Sequence, residues 1–279
     1  FGMELELTHR NKIGEVGYNL KGIATVTRQK YLTASEKGPW ANSYDRWRND
    51  NLTNRYQGVQ FGYTSAGRYT SWNDIWNYYG FKERDVLPGD YKYEDWNGDG
   101  EINGQDEHPF AFDQTPWLQF SLNAGLQWKN FDFNMLLQGS ALGSMEYKEP
   151  LHEIWGKNGG GALTQFLDRW HPVDPKADPY DPSTVWTSGH YAYTGRWAKN
   201  NSAFNRVSTA YLRLKSIELG YTFPKLKQIP NASLRVYANA YNLLTFTGVK
   251  FVDPEHPDDD LGRMYPLNKT YTLGVSLSF

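Results

Sequence analysis

Tyr271-Thr272-Leu273-Gly274-Val275-Ser276-Leu277-Ser278-Phe279 is the stretch that decides the fold of this chain. Apolar side chains hold every odd position, and small or polar ones hold every even position. A period of two over about ten residues suits a strand with lipid on one face and water on the other. The same alternation would serve the last strand of a soluble β-sandwich. The choice therefore depends on the segments upstream.

Working back, the pattern recurs in pairs. Leu234, Val236, Ala238 and Ala240 alternate with Arg235, Tyr237, Asn239 and Tyr241, after Ile217, Leu219, Tyr221 and Phe223. Leu118, Phe120, Leu122, Ala124, Leu126 and Trp128 precede Phe131, Phe133, Met135 and Leu137 across a tight Lys129-Asn130 turn. Met3, Leu5 and Leu7 precede Val16, Tyr18, Leu20, Ala24 and Val26. The alternation predicts seven strands, near 1–9, 15–30, 117–128, 131–144, 210–223, 232–246 and 269–279. Short turns at 9–14, 129–130 and 224–231 take turns with long loops near 31–116, 145–207 and 247–268. A transmembrane barrel has this rhythm, with short turns on the periplasmic side and long loops outside. A soluble sandwich has no reason to keep it, and loops this long are uncommon in compact domains unless they are functional. Seven strands leave two open edges, which a bilayer does not tolerate. No signal-peptide pattern precedes Phe1-Gly2-Met3. The expectation is therefore the C-terminal portion of a longer barrel, with the remaining wall upstream.

Composition narrows the classes. A mean hydropathy of −0.71 and the lack of an apolar run near 18 residues exclude a helical membrane protein but not a barrel. A formal charge of −2 gives no nucleic-acid footprint. The absence of cysteine removes disulfides, zinc–thiolate sites and thiol nucleophiles. Six scattered histidines show no metal spacing, and Gly159-Gly160-Gly161 lacks the Lys-Ser/Thr of a phosphate loop. Asp253, Glu255 and Asp258-Asp259-Asp260 form an acidic loop that could bind a cation or contact a partner, and read first as a solvated charge run.

One metal motif is specific. Asp95-Trp-Asn97-Gly-Asp99-Gly100-Glu101-Ile102-Asn103-Gly-Gln-Asp106 places oxygen ligands at positions 1, 3, 5 and 12 of an EF-hand-type loop. It also puts Gly at position 6 and the main-chain carbonyl of Glu101 at position 7. Asp106 stands where a bidentate Glu is usual. The expectation is a structural calcium held by Asp95, Asn97, Asp99, Glu101 and Asp106. The alternative is an Asp/Asn/Gly-rich turn without an ion. Trp40, Trp72, Trp76, Trp155, Trp170, Trp186 and Trp197 all fall in the long loops. Flat aromatic faces suit sugar rings, although tryptophans also pack loops and anchor partner proteins. Trp117 and Trp128, at opposite ends of one strand, read as interfacial girdle residues.

Several stretches resemble SusC-like (SusC/RagA family) TonB-dependent outer-membrane transporters. They are Phe61-Gly-Tyr-Thr-Ser-Ala-Gly67, Leu87 to Ile102, Asp168-Arg-Trp170, Tyr211 to Pro224, Asn242 to Phe246 with Asp253-Pro-Glu255, and the closing nonapeptide. The terminal Phe279 resembles the assembly signal of bacterial outer-membrane barrels. The resemblance implies an all-β fold, with this chain as the last seven strands of a barrel of about 22 strands. It also implies a plug and a TonB box outside these residues, TonB as the energy source, and a SusD-like surface lipoprotein as the lid. Cargo would be an oligosaccharide or, in some members, a peptide. Two transporter–lipoprotein complexes could pair. The resemblance implies no catalysis. The rival readings are a soluble calcium-stabilised carbohydrate-binding module and a glycoside hydrolase, the latter needing a pair of carboxylates that no motif here singles out.

Overall fold

The computed structural model describes residues 1–34, 38–49, 52–78, 86–148, 151–152, 154, 162–195, 198–199, 201–223, 232–256 and 263–278. Trp155, Trp197, Phe279, the 224–231 turn, Asp258 to Asp260 and Gly159 to Gly161 lie outside these described residues.

Seven strands form one antiparallel sheet. They are β1 (Gly2–Ile13), β2 (Val16–Thr27), β3 (Leu118–Trp128), β4 (Phe131–Ala141), β5 (Tyr211–Phe223), β6 (Ser233–Thr247) and β7 (Thr270–Ser278). Spatial order follows chain order, with β1 and β7 at the two edges. Each strand feeds its neighbour, so no crossover connection is needed.

Register explains why the alternation is legible. Leu20, Ala124, Met135, Ile217, Ala240 and Tyr271 stand opposite one another across six strands. Tyr18, Leu126, Phe133, Leu219, Ala238 and Leu273 form the next such row. Because the side-chain period is two, in-register pairing collects every apolar set on one face. That face is open: Leu219, Leu273 and Val275 are 54%, 86% and 68% exposed. At its short-turn end the rings are linked. Trp128 stacks on Phe131, Phe131 meets Tyr221 edge-on at 4.7 Å, and Tyr221 meets Phe223 at 4.7 Å.

Three boundaries depart from the sequence expectation. β1 does not turn at residue 9. It pairs through His9↔Leu20 and Asn11↔Tyr18 to Ile13, and the turn is Gly14-Glu15 with Gly14 at φ +61°. His9 and Asn11 occupy apolar-face positions, so the hydropathy pattern fades while the ladder continues. β4 ends at Ala141, where Leu142 takes φ +64°. Ser144–Glu146 then leaves the sheet to pair with Arg206–Ser208. β2 ends at Thr27 rather than near residue 30. β5 also carries an irregularity between Leu214 and Ser216, which moves its apolar face from even residues (Leu212, Leu214) to odd ones (Ile217, Leu219). An extra residue of this kind changes side-chain parity along a strand.

The two longest connections fold into a shared cap. The first contains helices α1 (Ser43–Asn49) and α2 (Trp72–Asn77) and the ribbons Val59–Gly62/His108–Phe112 and Ser65–Arg68/Tyr91–Tyr93. Hydrogen bonds tie it to the second connection: Tyr63 N–H to the Asn201 carbonyl at 3.0 Å, and Lys199 N–H to the Tyr93 hydroxyl at 2.6 Å. The Trp170 ring lies directly against Gly89, where a Cβ would come within 2.3 Å of it. Gly89 is at φ +94°, so glycine serves there both conformation and close approach. The cap has its own cores, such as Tyr69, Ile75 and Val86 packed with Trp72 and Tyr78.

Candidate functional site

The site is the polar face of the sheet and the cap above it. Each apolar row alternates with a polar one. Thr25, Gln119, Ser140 and Tyr211 stand opposite one another across β2–β5. Ile23, Ser121, Gln138, Arg213 and Thr245 form the row below, from β2 to β6. Their β2 to β4 members and Tyr211, with Leu136, line a groove of about 680 Å³ at the long-loop end of the sheet, bordered by Pro254 and Glu255.

Arg213 is the most buried large side chain of this region, at 0% exposure. Its Nη1 donates to Glu255 Oε2 at 2.6 Å, its Nη2 to Asp253 Oδ2 at 2.5 Å, and its Nε to Thr245 Oγ1 at 3.1 Å. A buried guanidinium needs such partners, because an unpaired charge out of water is costly. The third connection is thereby pulled onto the wall. Asp253 and Glu255 are thus ion-paired to the sheet rather than members of a solvated acidic loop. Tyr147 fastens the same connection from the second one: its hydroxyl accepts from Lys250 N–H at 2.8 Å and donates to the Lys250 carbonyl at 3.0 Å.

The short-turn end of the polar face holds a charge cluster. Arg235 Nη2 donates to Asp132 Oδ2 at 2.5 Å and to Glu218 Oε1 at 2.6 Å, and Asn239 Nδ2 reaches Glu218 Oε2 at 3.4 Å. Gly220 makes room for it, since a Cβ there would lie 2.6 Å from both Arg235 Nη2 and Asp132 Oδ1. Arg235 is therefore engaged within the wall itself.

The loop tryptophans divide. Trp72 and Trp76 sit on α2, 6.0 Å apart, and Trp72 also meets Tyr180 of the second connection at 6.5 Å. Trp76 and Tyr180 are 66% and 56% exposed, so this cluster presents an aromatic surface. Trp170 is against Gly89, and Trp186 meets Tyr193 edge-on at 5.4 Å. Trp40 is half-buried, with its ring against Gly38. Trp117 is not a girdle residue. It shares parity with polar-face Gln119, and the Arg28 guanidinium lies 3.5 Å from the centroids of both Trp117 and Tyr56, which pins the first connection to the wall. Trp128 does sit on the apolar face, 47% exposed. In the cap, burial pushes the His152 imidazole down to about 4 and the Tyr191 phenol up to about 12.

The EF-hand-type segment closes on its own main chain. Asp95 accepts from Gly98 N–H and Gly100 N–H, both at 2.8 Å. Asn97 accepts from Asp99 N–H at 3.0 Å, and Asp99 accepts from Glu101 N–H at 2.8 Å. Asp106 is fully buried, accepting from Trp96 N–H at 2.9 Å and Asn103 N–H at 2.7 Å. Gly98 and Gly100 take φ +74° and +83°. The oxygen donors suit a hard cation. Among the described residues, however, no three carboxylate or imidazole side chains gather into a metal-holding group. The amide contacts already shape the loop.

Sequence reasoning missed Arg213 and Arg28. Arg213 shows as a charge on the polar parity of Leu212-Arg-Leu214, but its partners lie about 40 residues on, and no local pattern announces them.

No family model matches the chain. It is 28% identical over 211 residues to TonB-dependent receptor P3 of Formosa agariphila, covering 70% of this chain and 19% of that protein. It is 26% identical over 210 residues to TonB-dependent receptor SusC of Bacteroides thetaiotaomicron, covering 74% and 19%. The chain thus spans about a fifth of the length of these relatives. Among solved structures, the RagAB peptide transporter superposes with a TM-score of 0.61 at 18% identity, covering all of this chain and 29% of that one. The sequence likeness is to SusC-like TonB-dependent receptors, and the structural likeness shows the barrel-wall fold.

Proposed function

We propose that this chain, SusC-like in sequence and fold, is a wall section of a transporter that imports a nutrient across the outer membrane at the expense of TonB. The observation that carries the reading is the two-faced sheet. Apolar rows run across β2 to β7 on one side, mainly polar rows run on the other, and the long connections cap one end only. An outer-membrane barrel needs that division between lipid face and lumen face. The short-turn end is periplasmic and the cap extracellular.

The cargo is an oligosaccharide, taken up beneath a SusD-like lipoprotein lid. Exposed Trp76 and Tyr180 supply the kind of aromatic anchor that partner interfaces favour. Peptide import is the second reading, supported by the solved neighbour's being a peptide transporter. We also propose a structural calcium on Asp95, Asn97, Asp99, Asp106 and the Glu101 carbonyl. The donor set and the two left-handed glycines support this, and the ion would lock the middle of the first connection.

Extraction of the full-length protein from outer membranes in mild detergent, with intact masses of the complex and its chains, tests the reading. Co-purification with a lipidated partner, together with TonB-dependent growth on one nutrient class, is the expected outcome. A water-soluble chain with no partner would overturn it.

A further inference from the structure

The lipid-facing parity of β2 runs into two cations that have no counter-ion. Its even residues from Val16 to Val26 stand opposite the even residues from Trp128 to Leu118 of β3, all in the apolar rows. Arg28 and Lys30 continue that parity into the rim, where the wall meets the cap. On β3 to β6 the corresponding positions are Pro116, Gly143, Ala210 and Gly248, none of them charged. The Arg28 guanidinium lies between the Tyr56 and Trp117 rings, and Lys30 Nζ is 5.8 Å from the Tyr56 centroid. Neither cation is ion-paired to a carboxylate among the described residues, and the buried Nε of Arg28 has no acceptor there. A buried N–H without an acceptor is uncommon and calls for one. Below the two cations the apolar face is furrowed. Ala24 and Gly22 lie between Leu5 and Leu7 of β1 and Phe120 and Leu122 of β3. A Cβ on Gly22 would meet nothing within 4 Å, and the Phe120 ring leans over Gly139 of β4.

We propose that this strip binds one phosphate-bearing lipid of the outer leaflet, with an acyl chain in the Gly22/Ala24 furrow and the phosphate on Arg28 and Lys30. The proposal rests on the cap facing the cell exterior and not on the identity of the cargo. A guanidinium presents its N–H groups in one plane, a geometry that suits phosphate oxygens. Held between two rings, it is preorganised for an anion that arrives at the rim. Lys30 adds a second, more mobile charge. Basic side chains at a membrane surface attract anionic lipid headgroups. A furrow floored by Gly22 and Ala24 gives a hydrocarbon chain dispersion contacts on both walls. A free phosphate would use the cations alone, so the furrow below them argues for a ligand with a tail.

The test uses the full-length protein, purified in mild detergent and stripped of lipid, as wild type and as Lys30→Gln, Arg28→Gln/Lys30→Gln and Gly22→Leu variants. Native mass spectrometry measures binding of phosphorylated lipid A and of the same lipid without its phosphates, with inorganic phosphate as competitor. Heat-modified gel mobility checks that each barrel is folded. The wild type is expected to hold one phosphorylated lipid tightly. Lys30→Gln leaves the Arg28 stack in place and should weaken that binding about fivefold, the size expected for one basic residue at a membrane surface. The double variant should weaken it about thirtyfold. Gly22→Leu fills the furrow and should also weaken it, with the cations untouched. The lipid without phosphates should bind wild type and double variant alike. Unchanged affinity for phosphorylated lipid in the folded Lys30→Gln and Gly22→Leu variants would overturn the site. Displacement of the lipid by an equal concentration of inorganic phosphate, with Gly22→Leu having no effect, would show a free-anion site and overturn the lipid. Cleavage of the cap by protease added to intact cells reports which side it faces, and TonB-dependent growth reports import, each separately from lipid binding.

Discussion

Arg213 concentrates the energetics of the loop–wall contact in one side chain. Its two ion pairs join the third connection to β5, and its bond to Thr245 joins β5 to β6. Arg213→Met keeps the length and removes the charge. Hydrogen bonds to charged groups are worth about 1.5–3 kcal/mol. Asp253 and Glu255 are partly exposed, so water recovers part of the loss. The expected outcome is release of residues 247–256 at a cost of about 2 kcal/mol, with the barrel still folded. Protease cleavage after Lys250, seen in the variant and not in the wild type, would check this. His152 gives a second residue-scale prediction. Burial holds its imidazole neutral, down to about 4, whereas the unfolded chain titrates near 6.5. The unfolded state therefore binds the proton first as pH falls. Stability is intact above about pH 6.5 and declines between there and about pH 4, by up to about 3 kcal/mol at one pKa unit per 1.36 kcal/mol. Hydrogen exchange of residues 162–195 at pH 7 and pH 4.5 measures it. Faster exchange at the lower pH is expected, and His152→Gln should blunt the difference.

At the scale of the element, each strand presents one face to lipid and one to the lumen, and its neighbours fix which is which. Leu122 stands on the apolar face between Gly22 and Leu137, and Ser121 stands next to it on the polar face. Leu122→Arg should therefore cost about 2–4 kcal/mol, the penalty for a cation at mid-bilayer on a barrel surface. Ser121→Arg should be close to neutral for folding. Urea titration of folding into vesicles, read by heat-modified mobility, checks the pair; equal costs would contradict the assignment of faces. The strands were legible because a period of two records burial directly. Their ends were less so. β1 runs on through His9, Arg10, Asn11 and Lys12, whose polarity hides a ladder that backbone pairing maintains. The parity change in β5 is a backbone event at Lys215, and hydropathy carries no signal for it. The glycine-rich acidic segment forms the third element. Calcium bound there should protect the 95–106 loop from proteolysis, and chelation should remove the protection. Terbium luminescence sensitised by Trp96, abolished in Asp95→Ala/Asp99→Ala, reports the ion independently of the protease. No luminescence in the wild type would show that the amide contacts alone hold the loop.

For the whole molecule, the sequence by itself determined the class of wall: antiparallel, two-faced, with turns short at one end and long at the other. It could do so because these are local properties, written within ten residues of each strand. It also exposed the composition of the loops, rich in tryptophan and oxygen donors. Only the tertiary structure decided what those residues do. It placed Trp117 over Arg28 rather than at a lipid interface, and Trp170 on Gly89 as part of the cap. It joined Arg213 to Asp253 and Glu255, and it aligned Thr25, Gln119, Ser140 and Tyr211 into one row. The members of that row come from strands up to 186 positions apart, Thr25 to Tyr211. Side chains so far apart in sequence meet only when the register of every intervening strand is fixed, and register is a property of the assembled sheet.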